Sequence, residues 1–344
     1  MKIFDIDEFK KNLEPLTPVF NTGVNIYGVC IAKNPKENHL CFLNGMGPLI
    51  ELNRWLEKND VNILKKIIFI VSKEFHEKKT NELSFLPAEN TLLTQHLDLM
   101  MCSISKWFYE KKYDESQYLI DGRQTGSAKI CPTARISQAV FIGDNVEIGS
   151  NVHIMPGSVV MGDCSIKEST IIYPNVVIYP HVRIGRNCKV HAGSVIGSDG
   201  FGYNFLNGEH RKIWHIGGVV IGDNVELGSN CTIDRGTFDN TVIESETKLD
   251  NLVHIAHNCY LNKGVIVCAQ SGLAGSVTVG KFSAMSGHVA VAPGVEIGNQ
   301  CEVVGHSAVF ENIKDKMRIA GYPAKPMKEW LRSIAALRRL TKKG

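Results

Sequence analysis

His254 and His257, three residues apart, are the residues whose type and spacing most directly suggest chemistry. An imidazole titrates near neutrality and can move a proton, and an HxxH spacing also occurs among zinc ligands. On a strand, an odd spacing sends two side chains to opposite faces, which argues against a shared metal. Gly275 lies eighteen residues beyond His257, and a glycine leaves its backbone N–H open to a reacting oxygen. A second group, Asp199-Gly200-Phe201-Gly202-Tyr203, combines a carboxylate, two rings and two glycines. Asp199, Phe201 and Tyr203 either shape a pocket or belong to a loop that only packs on its support.

The support is legible as a repeat. Aliphatic residues fall at every sixth position from Ile136, Ile142 and Ile148 to Ile196, eleven in unbroken register. The period resumes at Ile221, Leu227 and Ile233, and again from Ile243 to Val309, giving twenty-six hexads with two interruptions. A hexad is one short strand plus one corner, and three of them close a triangular coil of eighteen residues. Gly275 is therefore expected directly above His257. Residues two before each aliphatic, such as Val146, Ser158, Cys164 and Cys188, are small or β-branched and face inward with it. A glycine often follows the aliphatic, as at Gly143, Gly149 and Gly185, where a tight corner is expected. The interruptions, Ser198–Gly218 and Asp234–Asn240, are candidate loops on a working face.

Before residue 125 the rhythm is mixed. Strand-like runs at Val24–Ala32, His39–Leu43 and Lys66–Val71 alternate with helix-like stretches at Asp5–Leu13, Leu49–Glu57 and Leu97–Glu110. The expected organisation is a small α/β domain over 1–125, a parallel β-helix over 126–315 and a helical extension over 316–344. That extension is one-sidedly basic: Arg318, Lys325, Lys328, Arg332, Arg338, Arg339, Lys342 and Lys343 face only Glu329. Its apolar stripe, Trp330, Leu331, Ile334, Leu337 and Leu340, is expected to pack on the prism or on sister chains.

With 44% hydrophobic and 21% charged residues among 344, the composition excludes a disordered or collagen-like chain. A net charge of +3 gives no case for nucleic acid. Ten cysteines without a CxxC pair suit a reduced, cytoplasmic compartment, and five of them fall on the inward position of the hexad as filling. The opening residues carry no apolar core of signal-peptide length, and the run Ile67–Val71 is far too short for a membrane span.

Five segments, in order, resemble one family: Ile196-Gly197-Ser198 through Tyr203, Lys212-Ile213-Trp214-His215-Ile216-Gly217, Thr232-Ile233-Asp234-Arg235-Gly236, Lys248-Leu249-Asp250-Asn251 through His257-Asn258, and Ala269-Gln270-Ser271-Gly272 through Ser276. They are similar to the UDP-3-O-acylglucosamine N-acyltransferases of lipid A biosynthesis from about Pro132 onward, including Gly321-Tyr322-Pro323-Ala324 near the end. The resemblance implies a left-handed parallel β-helix assembled as a homotrimer with active sites between subunits. It also implies transfer of a 3-hydroxyacyl chain from acyl carrier protein to the 2-amino group of UDP-3-O-(3-hydroxyacyl)glucosamine, without metal or other cofactor. On the matching positions His257 is the general base, Asp250 an acid that orients or polarises it, Gly275 the oxyanion donor, and Asn251 lies near the carrier's pantetheine arm. The basic tail would suit an acidic carrier protein. His215 falls where the family often has His or Gln, with no role attached.

The sequence departs from the pattern in two places. The uracil-holding run Phe-Leu-x-Asn-Pro-Lys-Tyr reads Phe42-Leu43-Asn44-Gly45-Met46-Gly47-Pro48, so Phe42 and Asn44 remain candidates to hold the base while the second ring is expected to be missing. Where many members carry Gly-His, the chain has Pro293-Gly294.

Overall fold

The computed structural model describes residues 26–112, 126–321 and 326–341. The Asp5–Leu13 stretch and Lys325, Lys342 and Lys343 of the basic tail lie outside them. The first unit is a parallel sheet of four strands in sequential order, Gly28–Cys30, His39–Leu43, Ile68–Ser72 and Thr91–Thr94. Strand alternation splits its core. Leu40, Phe42, Ile68 and Ile70 pack against Met100, Ile104 and Phe108 of the helix Leu97–Lys112, while Leu43, Phe69 and Val71 pack against Leu49 and Leu52 of the helix Met46–Leu56.

The second unit is a three-faced parallel β-helix with sheets of nine, nine and ten strands. Each aliphatic stacks on its equivalent one coil away: Ile142 pairs with Val160, Val160 with Ile178, and Ile178 with Ile196. Both inward sets are buried from Ile142 to Val309, and at the first coil Ile136 and Val140 are partly buried. Their polar members are satisfied by corner carbonyls, since Ser158 Oγ donates to the Tyr173 carbonyl at 2.8 Å and Thr170 Oγ1 to that of Gly185 at 2.8 Å. The inward cysteines do the same, Cys164 Sγ to Tyr179 O and Cys259 Sγ to Ala274 O, both at 3.1 Å. Burial pushes both of those thiols up to about 12, far from any thiolate chemistry.

The corner glycines have a different reason from the expected one. The left-handed residue of each corner comes three positions after the aliphatic, as at Asn145, Asn151, Asn175 and Asn187 with φ between 54° and 58°. Gly143, Gly149 and Gly185 are not left-handed, although Gly197, which follows Ile196 at the root of the first insertion, has φ 88°. A Cβ on Gly143 would instead sit 2.6 Å from the backbone nitrogen of Gly162 in the next coil. These glycines let successive coils approach.

The repeat also runs past Val309. Ile313 bridges to Ile297, and the strand Arg318–Ile319 pairs with Glu302–Val303. The hexad from Val309 to Ile313 is two residues short, which hides the last coil from a strict period of six. Beyond it the helix Met327–Thr341 leaves Met327, Leu331 and Leu337 largely exposed. No described helix is long and apolar enough to cross a membrane.

The two kinds of corner position separate experimentally. Gly143→Ala is expected to lower stability by about 2 kcal/mol, because backbone must move, whereas Asn187→Gly should stay within about 0.5 kcal/mol of wild type in urea melts. Equal costs would refute the distinction.

Candidate active site

Both insertions leave the prism at the same corner. The strand Val195–Ser198 lies on one face and Val219–Ile221 on the next, and Thr232–Asp234 and Thr241–Ile243 occupy those two faces one coil later. His257 follows His254–Ile255 at that corner in the coil after. Ile255 pairs with Leu273, and so Gly275 stacks on His257 as the spacing predicts. A Cβ on Gly275 would lie 2.7 Å from His257 Nε2.

The first insertion folds into a hairpin, Tyr203–Leu206 with Glu209–Lys212, turned by Asn207-Gly208 with both φ angles positive. Its root is fastened by Asp199, which contacts Lys212 and lies 3.6 Å from the buried Arg235 guanidinium. Arg235 Nε in turn donates to the Gly197 carbonyl at 2.6 Å. Asp199 is thus a clasp rather than a pocket wall. Gly200 then crosses the two imidazoles, where a Cβ would come within 2.7 Å of His257 Cβ and 2.8 Å of His215 Nε2.

His257 is oriented by its neighbour. Asn258 Oδ1 accepts hydrogen bonds from the Thr237 backbone N–H at 3.0 Å and from Thr237 Oγ1 at 2.9 Å, which assigns that atom as oxygen. His257 Nδ1 stands 3.1 Å from the same oxygen and must be the donor. The proton is fixed on Nδ1, and Nε2 keeps its lone pair beside Gly275.

Asp250 is not part of this arrangement within the chain. It follows the strand Lys248–Leu249 and precedes His254–Ile255, at a different corner of the prism, where it accepts from the N–H groups of Asn251 at 2.7 Å and Ala269 at 3.1 Å. Seven residues exceed one hexad, so proximity in sequence carries it one corner away. Asn251 is beside it, with Oδ1 accepting from Ser229 N–H at 2.7 Å. The carboxylate on the His257 side is Asp234, within 3.4 Å of Ser198 Oγ. Burial pushes its pKa up to about 6, against the opposing pull of His257.

Two spaces meet at His257. A cavity of about 380 Å³ lies against the N-terminal sheet, bordered by Phe42, Asn44, Pro48, His215, Phe238 and His257. A groove of about 820 Å³ runs along the prism over Ala256, Gly272, Ala274, Ala290 and Val291, with Phe201 at its edge. His257 and Ser276 border both. Phe201 is 86% exposed, its ring tilted 56° to that of Tyr203 at 5.0 Å between centroids, while Tyr203 borders neither space. Phe42 does have a second ring beside it: Phe238, from the second insertion, lies 6.0 Å away at 27°. The prism supplies what Pro48 lacks.

His215 completes the cavity wall. It is fully buried, its ring is edge-on to His257 at 5.1 Å, and Nδ1 is 3.0 Å from the Ile213 carbonyl. A carbonyl only accepts, so Nδ1 carries the hydrogen and Nε2 the lone pair. Burial, then the charge of His257, pulls its pKa down to about 4. Two buried polar atoms on this wall have no partner among the described residues, His215 Nε2 and Asn258 Nδ2. Sequence spacing misses Asn258 because asparagine is the ordinary corner residue here, and misses Phe238 because no period relates it to Phe42.

The repeat matches the family described as bacterial transferase hexapeptide (six repeats), at residues 145–178 and 163–198. The chain is similar to UDP-3-O-acylglucosamine N-acyltransferases. It is 47% identical over 163 residues to the one from Wolinella succinogenes, covering 47% of this chain and 51% of that protein. Identity is 45% over 154 residues to that of Helicobacter hepaticus, 44% of this chain and 47% of the other. The chain thus spans about half the length of the curated relatives it matches. A solved UDP-N-acetylglucosamine acyltransferase from Campylobacter jejuni superposes with a TM-score of 0.40 at 26% identity, over 54% of this chain and 68% of that one.

The burial of Asp234 gives a pH signature. Below its ordinary value of 3.8 the carboxyl is protonated folded or unfolded; between there and about 6 only the folded state holds the proton, so stability falls as pH rises. Asp234→Asn should remove that slope and gain on the order of 2 kcal/mol relative to wild type between pH 4 and pH 7 in urea melts. Parallel pH profiles for the two proteins would contradict the assignment.

Proposed function

We propose that the protein is an N-acyltransferase that moves a 3-hydroxyacyl chain from acyl carrier protein to the 2-amino group of UDP-3-O-(3-hydroxyacyl)glucosamine. The observation that carries this reading is the free Nε2 of His257, beneath a glycine amide, where a cavity with aromatic rings and a few polar side chains meets an apolar groove. The cavity takes the sugar nucleotide, with Phe42, Phe238 and Asn44 toward its base, and the groove takes acyl chain. The curated relatives with that activity support the same assignment.

In the reaction His257 Nε2 removes a proton from the amine as its nitrogen attacks the thioester carbonyl. Charge develops on the carbonyl oxygen, and the Gly275 N–H donates to it. Collapse breaks the carbon–sulfur bond, and the leaving thiolate takes the proton from the imidazolium, which returns His257 to its starting state. Asn258 holds the tautomer throughout and stabilises the imidazolium. In a threefold assembly, Asp250 and Asn251 would reach the site of a neighbouring copy, where Asn251 meets the pantetheine arm. The basic face of the helix Met327–Thr341, with Lys328, Arg332, Arg338 and Arg339, receives the acidic carrier. The ten free cysteines fit a cytoplasmic location.

His257→Ala should lower kcat by roughly two to four orders of magnitude in an assay pairing carrier-bound 3-hydroxyacyl donors with the UDP-sugar amine. Asn258→Leu should lower kcat about ten- to a hundredfold with little change in KM, since it frees the wrong tautomer. An inactive wild type on this pair would overturn the substrate assignment, and full activity without His257 would overturn the mechanism.

A further inference from the structure

The proposed reaction leaves one member of the His254–His257 spacing unused. His254 borders the apolar groove, and Asp234 faces it from the preceding coil. Apart from His257 and Ser276 at the junction, these two are the only polar side chains among the described residues that line the groove. Both reach it, with side chains 48% and 11% exposed. Burial raises the Asp234 pKa to about 6, so its charge is held there at a cost in stability that packing alone does not explain.

The pair is set apart by the width of one atom. His254 Nε2 stands 3.8 Å from Asp234 Oδ2, beyond hydrogen-bond distance. Thr232 Oγ1 engages His254 Nδ1 at 2.7 Å, and the one hydrogen bond to the Asp234 side chain among the described residues comes from Ser198 Oγ at 3.4 Å. Partial burial holds the His254 pKa below its ordinary value, so the ring is neutral near pH 7. A carboxylate ahead of Nε2 favours the tautomer with its hydrogen there, and Thr232 then donates to Nδ1. The groove thus presents one donor and one acceptor, and a single oxygen fits between them at about 2.8 Å from each.

We propose that Asp234 and His254 read the 3-hydroxyl of the transferred acyl chain, which donates to Asp234 Oδ2 and accepts from His254 Nε2–H. The inference rests on the acyltransferase reading, in which the thioester carbonyl lies at Gly275 and carbon 3 follows two bonds later. The pair stands at that end of the groove: Ile233 pairs with Ile255, so Asp234 falls one coil from Ala256, the residue before His257. Farther along, at Ala290 and Val291, the lining is apolar and meets only hydrocarbon. A hydroxyl both donates and accepts, as the pair requires. A methylene in its place does neither, and sets a carboxylate and an N–H against hydrocarbon. Asp234 and His254 are specificity residues, with His257 alone moving the proton.

The test measures kcat/KM for two carrier-bound donors of equal length, one 3-hydroxylated and one without the hydroxyl, on the same acceptor. Wild type should prefer the hydroxylated donor roughly ten- to a hundredfold, as expected for a hydrogen bond to a charged group. His254→Leu, at a half-exposed position, should cut that preference about tenfold, by slowing the hydroxylated donor and not the other. His254→Gln, whose amide N–H again donates, should restore most of it. A wild type without preference, or a His254→Leu protein that slows both donors equally or keeps the wild-type preference, overturns the inference while the acyltransferase reading stands. A wild type that transfers neither chain overturns both.

Discussion

Everything in this molecule depends on coils staying in register. Backbone N–H groups of one coil donate to carbonyls of the next, as from Phe141 to Ser158 at 3.1 Å and from Gly143 to Val160 at 2.8 Å, and the same pattern continues through Ala274 to Val291 at 3.0 Å. A slip by one residue would turn the buried aliphatics outward on that face. Chain can therefore be added only between strands, at a corner. Both insertions obey this, since Ile184 still pairs with Ile221 and Ile221 with Ile243 across them. The fold thereby stores its variable parts where three successive coils already bring residues together.

The site follows from that placement. The corner that extrudes the hairpin in one coil and Phe238 in the next presents His257 and then Gly275. None of these groups needs a private support, because each is held by the ladder. The first insertion returns His215 to the side of His257, and Gly200 passes close enough to both rings that no side chain fits between. The electrostatics are correspondingly divided: a neutral imidazole deep in the wall, an amide-oriented imidazole at the junction, and a reluctant carboxylate, Asp234, on the groove side.

Much of this was legible in residue order, and the misses have physical causes. The inward positions, the loops and the stacking of Gly275 on His257 all follow from a period of six, because the ladder converts spacing into distance. The same arithmetic places Asp250 one corner away from His257 within the chain. The glycine after each aliphatic was misread because a sequence shows the residue but not the coil above it. The final coil was hidden by one short hexad before Ile313, and the strand Thr91–Thr94 by its brevity. Phe238 lies in no pattern and Asn258 in one that every corner shares, and only tertiary packing puts a ring beside Phe42 and an amide oxygen beside His257.

The central claim is that Asn258 fixes the His257 hydrogen on Nδ1 and leaves Nε2 free to act as a base. Nitrogen-15 spectra of histidine-labelled protein, with the His257 signals assigned by their loss in His257→Gln, test it at a pH where the imidazole is neutral. The account predicts a protonated, pyrrole-type Nδ1 and an unprotonated, pyridine-type Nε2, with the two shifting toward tautomeric averaging in Asn258→Leu. A hydrogen resident on Nε2 in the wild type would contradict it.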